Sequence, residues 1–470
     1  MSGPGDRTGS ALFPPRDERQ RGDDRLTAAL LAAAARTASG AATPDFDREA
    51  FGRALAEFDF AAPQPLDDVL DWTIAQLEHG VTHMTHPRYF GLFNPAPTFP
   101  AQCADRVAAV FNPQLATATT SPAAVAIENH VIAQVARRAG LPRQTVGHFT
   151  SGGAEANFTA LICALTAAHD GFAAQGTRAF TGQPVLYASR ESHLAWFKIA
   201  HQAGIGRDAV RLVATDGTGR LDPAALAAAI AEDSAAGRVP VIAVATAGTT
   251  NAGMIDPLAA CAEIARRERL WLHVDAAWAG ALIASDKHKT ALDGIAAADS
   301  LTIDAHKWFA ATMGCGMFFT TRCDVPPRAF HVATSYMPSH DPGRDPYLNS
   351  VQWSRRFVGL RLFLSLAAAG WAGYARHVEH AIELAALLAA RLTARGWRIV
   401  NNSPAAVLCI EPPSEHADVK AIVAQVLASG RAWISTATFE GRAVIRACIT
   451  HGKSGVSDIE ALVTALEAAA

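Results

Sequence analysis

The chain has 470 residues, is 50% hydrophobic and carries a formal net charge of -3. That length exceeds the roughly 250–300 residues at which a single core stops growing, so one large domain with appendages is expected. The near-neutral charge argues against a nucleic-acid partner, and seven cysteines without a CxxC pair or metal-ligand spacing predict reduced thiols, a cytoplasmic protein and no metal site.

Residues 1–25 mix both charge signs with Gly and Pro and contain no apolar h-region, so a flexible tail is expected there rather than a signal peptide. LTAALLAAAA, after Arg25, is ten residues long, too short to span a bilayer, and suits an Ala-rich helix packed on protein. Residues 26–80 look helical. THPRYFGLFNPAPTFP at 85–100 cannot be a continuous helix because prolines recur through it. From about 145 to 325, short apolar runs alternate with helical ones: VLYAS (185–189), VIAVATAG (241–248), LWLHVDAA (270–277), SLTID (300–304) and CGMFFTT (315–321). Between them, DPAALAAAIAEDSAAG and DPLAACAEIARRERL place Asp222 or Asp256 as helix N-caps, with Pro223 or Pro257 in the first turn. Such alternation predicts an α/β domain with a mostly parallel sheet. After about residue 372, a long helix, WRIVNN, AVLCI, a helix from 417 and AVIRACI predict a smaller α+β domain. The expected divisions are 1–25, 26–100, 101–371 and 372–470.

In such sheets chemistry sits at the carboxyl ends of the strands. SGGAEAN at 151–157 opens a helix, either as a tight turn or as an anion cradle in which the N–H groups of Gly153 and Ala154 point at a phosphate. It is not a GxxxxGKT loop, so a single phosphate monoester suits it better than a nucleoside triphosphate. His193 follows YAS. Asp275 ends WLHVD, where a metal ligand or a helix cap is the alternative. Lys307 ends LTIDAHK, set between Trp308 and an apolar strand where an amine can serve as a nucleophile. One cofactor asks for all of these. Pyridoxal 5'-phosphate (PLP) needs a lysine for its Schiff base, a carboxylate for its ring nitrogen, an N–H cradle for its phosphate and a flat surface for its ring.

HPRYFG, TSGGAEAN, SHLAWFKIA, ATAGTTNAGMIDPL, WLHVDAAWAG and DAHKW, in that order, resemble the PLP-dependent group II decarboxylases, the family of aromatic-L-amino-acid, tyrosine and diaminobutyrate decarboxylases. The likeness covers about residues 70–460, and WISTATFEGRAVIRACI is similar to the family's C-terminal domain. It implies an α/β fold of the fold-type I PLP-dependent transferase kind: a large domain with a mostly parallel seven-stranded sheet and a small C-terminal α+β domain. It also implies a homodimer in which residues 26–100 pack on the partner. By the same likeness, Lys307 is the aldimine lysine, Asp275 the partner of the pyridine nitrogen and His193 the imidazole stacked on the ring. Ala277 lets the ring lie close, Thr246 supports the cofactor near Asp275, and Gly153 and Ala154 bind the phosphate, with Asp304 and His306 on the lysine side.

Two positions depart from the family. Ala154 stands where relatives often have a phosphate-binding serine. Asp304 stands where many have Asn, and its carboxylate would repel a phosphate.

The implied reaction is release of CO2 and a primary amine from an L-amino acid through a quinonoid. Tyr336, in HVATSYMPSHDPG at 331–343, returns the proton to Cα as a catalytic residue beside Lys307 and His193. Some relatives carry phenylalanine there and form an aldehyde with oxygen. Leu92, Phe93, Asn94 and Pro95 fall where the family lines its side-chain pocket. An aromatic substrate is expected, with a small or polar amino acid, an oxidative aldehyde synthase or another fold-type I PLP enzyme as alternatives. Arg355 and Arg356 match a basic pair and are expected to be structural. No nucleic-acid or membrane partner is expected.

Overall fold

The structure is a computed structural model that describes residues 12–337 and 345–470. Seven strands form the central sheet: β1 (Val146–Thr150), β2 (Pro184–Ser189), β3 (Val210–Val213), β4 (Val239–Thr246), β5 (Trp271–Asp275), β6 (Ser300–Asp304) and β7 (Gly316–Thr320). Their spatial order is β1-β7-β6-β5-β4-β2-β3. The five strands from β3 to β6 run parallel, and β7 runs antiparallel to both β6 and β1. Strands β2, β5, β6 and β7 are buried along their whole length, which is why each reads as an unbroken apolar run. SLTID occupies β6 residue for residue. β3, absent from the expected strands, lies at the sheet edge with only its two ends buried, and so leaves no apolar run to read.

The second sheet comprises β8 (Arg398–Ile399), β9 (Val407–Glu411), β10 (Ser435–Phe439) and β11 (Arg442–Cys448), antiparallel in the order β10-β11-β9-β8. This is the smaller α+β unit expected near the C-terminus. The helix leading into it, Leu360–Thr393, contains Gly370 at φ +63°, a left-handed conformation that only glycine adopts freely and that breaks the helix.

Two expectations are corrected. The flexible tail was expected to run to residue 25, yet a helix, α1, spans Arg16–Ser39; residues 1–11 lie outside the described residues. Asp17 and Glu18 favour its positive end, and Arg25 pairs with Asp67 and Asp71 of a second helix, α2 (Leu66–Gly80). Asp222 caps its helix by accepting from the N–H groups of Ala224 and Ala225, whereas Asp256 caps nothing. It is buried and accepts from the N–H groups of Leu221 and Thr246 at 2.8 and 2.7 Å, tying the end of β4 to a neighbouring turn. Burial lifts the Asp256 carboxyl to about 7 against those bonds.

The Pro- and aromatic-rich stretch is stitched to the small sheet. Trp433 N–H donates to Arg88 O, Phe90 N–H to Trp433 O, and Cys448 N–H to Phe90 O. A Cβ on Gly91 would lie 2.3 Å from the Trp433 ring, so only glycine lets the two stretches approach this closely. Trp278 and Trp308 stack at 4.6 Å between ring centroids, and Phe93 stacks on Trp278 at 4.2 Å, so this stretch, β5 and β6 meet in one aromatic column. No helix among the described residues is long and apolar enough to cross a membrane.

Three histidines meet where the long helix, the stretch before Arg88 and the loop after β11 converge. His377 donates from Nε2 to Trp308 O, His380 bonds Ser454 O and His451 bonds Thr85 O. Burial lowers His377 to about 4, so it is neutral in the folded chain while an unfolded chain protonates it near 6.5. Its stabilising contribution is therefore complete above pH 6.5 and is lost as pH falls toward 4. Denaturant unfolding at pH 7 and pH 5 is expected to show a loss about 2 kcal/mol smaller for His377→Gln than for the wild type; equal losses would remove His377 as the source.

Candidate active site

A cavity of about 240 Å3 opens at the carboxyl ends of β4, β5 and β6. It is lined by residues from every strand end marked in the sequence: Gly153 and Ala154 after β1, His193 after β2, Thr246 on β4, Asp275 and Ala277 on and after β5, and Asp304, His306 and Lys307 on and after β6. Phe93 closes one side. Leu92, Asn94 and Pro95 do not line it. Leu92 is half exposed, Asn94 donates to Met313 Sδ at 3.1 Å, and Pro95 is buried. Tyr336 is 72% exposed and outside the cavity, and residues 338–344 of its stretch lie outside the described residues.

SGGAEAN folds as a turn into a helix, α3 (Gly153–Ala168), so its two open readings describe one structure. The N–H groups of Gly153 and Ala154 make no bond among the described residues and face the cavity at the positive helix end. Ser151 is committed elsewhere, donating its N–H and hydroxyl to Glu155 at 2.8 and 2.6 Å. A single anionic group fits this cradle.

At the opposite side, Asp275 is 5% exposed and has no cationic partner among the described residues. It accepts from Asn157 Nδ2 at 2.8 Å and from Ala277 N–H at 3.2 Å. Because the Asn157 amide turns its NH2 to the carboxylate, its Oδ1 faces His273 Nε2 at 3.0 Å and must accept. His273 Nδ1 then accepts from the Ser300 hydroxyl at 2.8 Å, and that oxygen accepts in turn from Trp271 Nε1. Burial lowers His273 to about 4, keeping it neutral in this relay. Thr246 sits beside Asp275 in register across β4 and β5, and shares a 2.7 Å hydrogen bond with Ser192 rather than with the carboxylate.

Lys307 is one-fifth exposed, and its Nζ lies 3.1 Å from Asp304 Oδ2. His306 takes the Cys315 N–H on Nδ1, leaving Nε2 to carry its proton 3.9 Å from Asp304 Oδ2, and burial lowers its pKa. His193 is exposed at the rim, its Nδ1 accepting from Ala195 N–H. Arg355 and Arg356 lie outside the cavity, paired with Glu128 and Asp105 respectively.

Two residues escaped the sequence, one lining the cavity and one packed against Phe93. Asn157 closes the relay behind Asp275, and its position in SGGAEAN, one helical turn past the cradle, was a signal that could have been used. Arg446 on β11 is 2% exposed, donates to Thr250 O and Gly91 O at 2.9 Å each, and lies 4.6 Å from the Phe93 ring centroid. Its Nη2 is buried without a partner. Nothing local in AVIRACI distinguishes it from a strand arginine reaching solvent.

An amine nucleophile, a buried carboxylate without a cation and an N–H cradle in one cavity define an enzyme built around a carbonyl cofactor with a phosphate and a basic ring. The sequence matches the pyridoxal-dependent decarboxylase conserved domain over residues 54–409, and the chain belongs to that family of PLP-dependent amino acid carboxy-lyases. It is 28% identical over 404 residues to an aromatic-L-amino-acid decarboxylase of Bacillus atrophaeus, covering 83% of this chain and 82% of that one. It is 33% identical over 299 residues to an L-2,4-diaminobutyrate decarboxylase of Rhizobium meliloti, covering 63% and 58%. The crystal structure of Oryza sativa TDC with PLP and tryptamine superposes with a TM-score of 0.91 at 23% identity, over 97% of this chain and 98% of that one.

Proposed function

We propose that the chain decarboxylates an L-amino acid with an aromatic side chain, using Lys307 as the covalent anchor of the cofactor. The observation that carries this reading is the shared cavity of Lys307, Asp275 and the N–H groups of Gly153 and Ala154. When bound, PLP supplies an electron sink for the bond to the departing carboxylate. The residues of the chain do the rest. Gly153 and Ala154 hold the phosphate, Asp275 holds a proton on the ring nitrogen, Ala277 leaves room for the ring and His193 covers it from the rim. His306 borders the cradle. Thr246, locked to Ser192, fixes the end of β4 beside Asp275.

Arg446 is assigned to the substrate carboxylate. A guanidinium held flat against Phe93, with two donors used on backbone oxygens and Nη2 unspent, has one strong site left for an anion. Leu92 and Met313, exposed beside Asn94 and outside the cavity lining, form the apolar patch assigned here to the mouth for the substrate side chain. A short polar side chain is the second reading, favoured by the Asn94 amide at that mouth.

Dimerisation is part of the reading. Helix α4 (Phe99–Phe111) turns Phe99, Val110 and Phe111 outward at 74, 80 and 76% exposure, an apolar face suited to a second copy. Tyr336, outside the cavity of its own chain, returns the proton to Cα either after movement of its stretch or in the cavity of that second copy.

Four measurements test these assignments. Wild type loaded with PLP is expected to be yellow, borohydride to bleach that colour while fixing the cofactor covalently at residue 307, and Lys307→Ala to lack the colour; a colourless wild type after addition of PLP overturns the reading. CO2 release across the proteinogenic amino acids, dihydroxyphenylalanine, ornithine and diaminobutyrate identifies the substrate. On that substrate Arg446→Leu is expected to raise KM by about ten- to a hundredfold with chromophore retained, the worth of one charged hydrogen bond, and an unchanged KM removes the assignment. Tyr336→Phe is expected to divert turnover in air from amine to aldehyde, ammonia and peroxide, and an undiminished amine yield counts against the proton role.

A further inference from the structure

Asp304 lines the cavity beside the phosphate cradle. A Cβ built on Gly153 would lie 2.9 Å from Asp304 Oδ2 and 3.4 Å from the Ala277 side chain, so the carboxylate abuts the first residue of α3. Asp304 is 3% exposed. Its Oδ2 faces Lys307 Nζ at 3.1 Å, but its Oδ1 is buried with no hydrogen-bond donor. A buried acceptor without a donor is costly, and a carboxylate facing a second anion is costlier still. The second cost vanishes if the two anions share one proton, as paired carboxylates in a common site do.

We propose that this cavity takes its cofactor as the phosphate monoanion, with the remaining P–OH donating to the Asp304 carboxylate, whose Oδ2 stands against the cradle. The inference rests on the PLP reading above and adds the charge state in which the cofactor is bound. Below the second ionisation of a phosphate monoester, near ~6, the monoanion binds as it is. Above it, the dianion binds together with one proton taken from solvent, so affinity falls as pH rises.

The other charged groups around Asp304 leave it the natural acceptor. On its own loop, Lys307 faces Oδ2 only until the cofactor takes its amine, and His306, whose pKa burial lowers, has its one proton on Nε2, 3.9 Å from the same oxygen. On α3, Glu155 is occupied by Ser151 and Gln352. From the long helix, Arg361 pairs with Asp105 and bonds Met313 O and Gly314 O. The Cys315 thiol is pushed up to about 12 by burial and stays neutral. Asp275 and His193 line the ring end and the rim.

The test is a double difference. Apo-protein is titrated by absorbance with PLP and with pyridoxal, which lacks the phosphate, between pH 6.5 and 8.5, for the wild type and for Asp304→Asn. Dividing PLP affinity by pyridoxal affinity cancels the pH dependence of Schiff-base formation at Lys307. For the wild type this ratio is expected to fall at least tenfold across the range, whereas for Asp304→Asn, whose amide donates to a dianion without needing a proton, it stays level. The 31P resonance of the bound cofactor is expected at a monoanion shift in the wild type and to move to the dianion position in the variant. Equal slopes and equal 31P shifts overturn the shared proton while leaving the PLP reading intact. A wild type that binds neither compound overturns both.

Discussion

The structure turns on a buried negative charge. Asp275 lies at the carboxyl end of a fully buried strand, 5% exposed, with two hydrogen-bond donors and no cation among the described residues. Taking a carboxylate out of water costs several kcal/mol, and two neutral donors recover only part of that. The chain meets this cost by building a relay of Asn157, His273, Ser300 and Trp271 across α3, β5 and β6, each member satisfied by the next. The order of the sheet brings the rest of the site to it. β5 is central, its neighbours β4 and β6 supply Thr246 and Lys307 on either side, and α3 crosses over to deliver both Asn157 and the N–H cradle. On the proposed reading, a protonated ring nitrogen would supply the cation that Asp275 lacks.

Much of this was legible because parallel strands buried on both faces cannot hide. SLTID, WLHVD and VIAVAT stand out as apolar runs, and whatever polar residue ends each run falls at one edge of the sheet by construction. Lys307, Asp275 and Thr246 could therefore be collected into one place without knowing any distance. Arg446 could not. It lies on an antiparallel strand of the other sheet, and only the pairing of residues 88–91 with Trp433 and Cys448 brings it to Phe93. Such contacts between distant segments leave no local pattern. Asp256 failed for the opposite reason: its local pattern, Asp before Pro before a helix, is a good capping signal, but two buried N–H groups from elsewhere in the fold outbid the helix for its carboxylate. The start of α1 at Arg16 was hidden because composition weighs charge and proline and does not see that Arg25 has acidic partners on α2.

The cavity also illustrates how a site draws on elements with different tolerance to change. The cradle and the relay are built on a helix and on strands within the sheet, where a shift of even a few tenths of an ångström disturbs several hydrogen bonds. The side facing substrate rests on residues 88–98, a proline-rich stretch whose shape is set by contacts to the small sheet and by Phe93 at φ +54°. On the proposed function, cofactor contacts would belong to the rigid part and substrate contacts to the adaptable part, an arrangement that would let one reaction persist while the accepted side chain varies.

Asp275 and Asp304 divide the cavity between them. Both are buried carboxylates at the ends of adjacent strands, yet their surroundings differ: Asp275 has a donor on each oxygen, whereas Asp304 has Lys307 on one oxygen and nothing on the other. Since both ends of the cavity are negative, charge alone would not decide which way round a molecule with a cationic ring and an anionic tail is held. The decision falls to the free N–H groups of Gly153 and Ala154, which can be satisfied only by an acceptor and lie beside Asp304. On the proposed reading, those donors would draw the anion to the end where a carboxylate already stands, and a proton between the two would be the least costly way for both to remain.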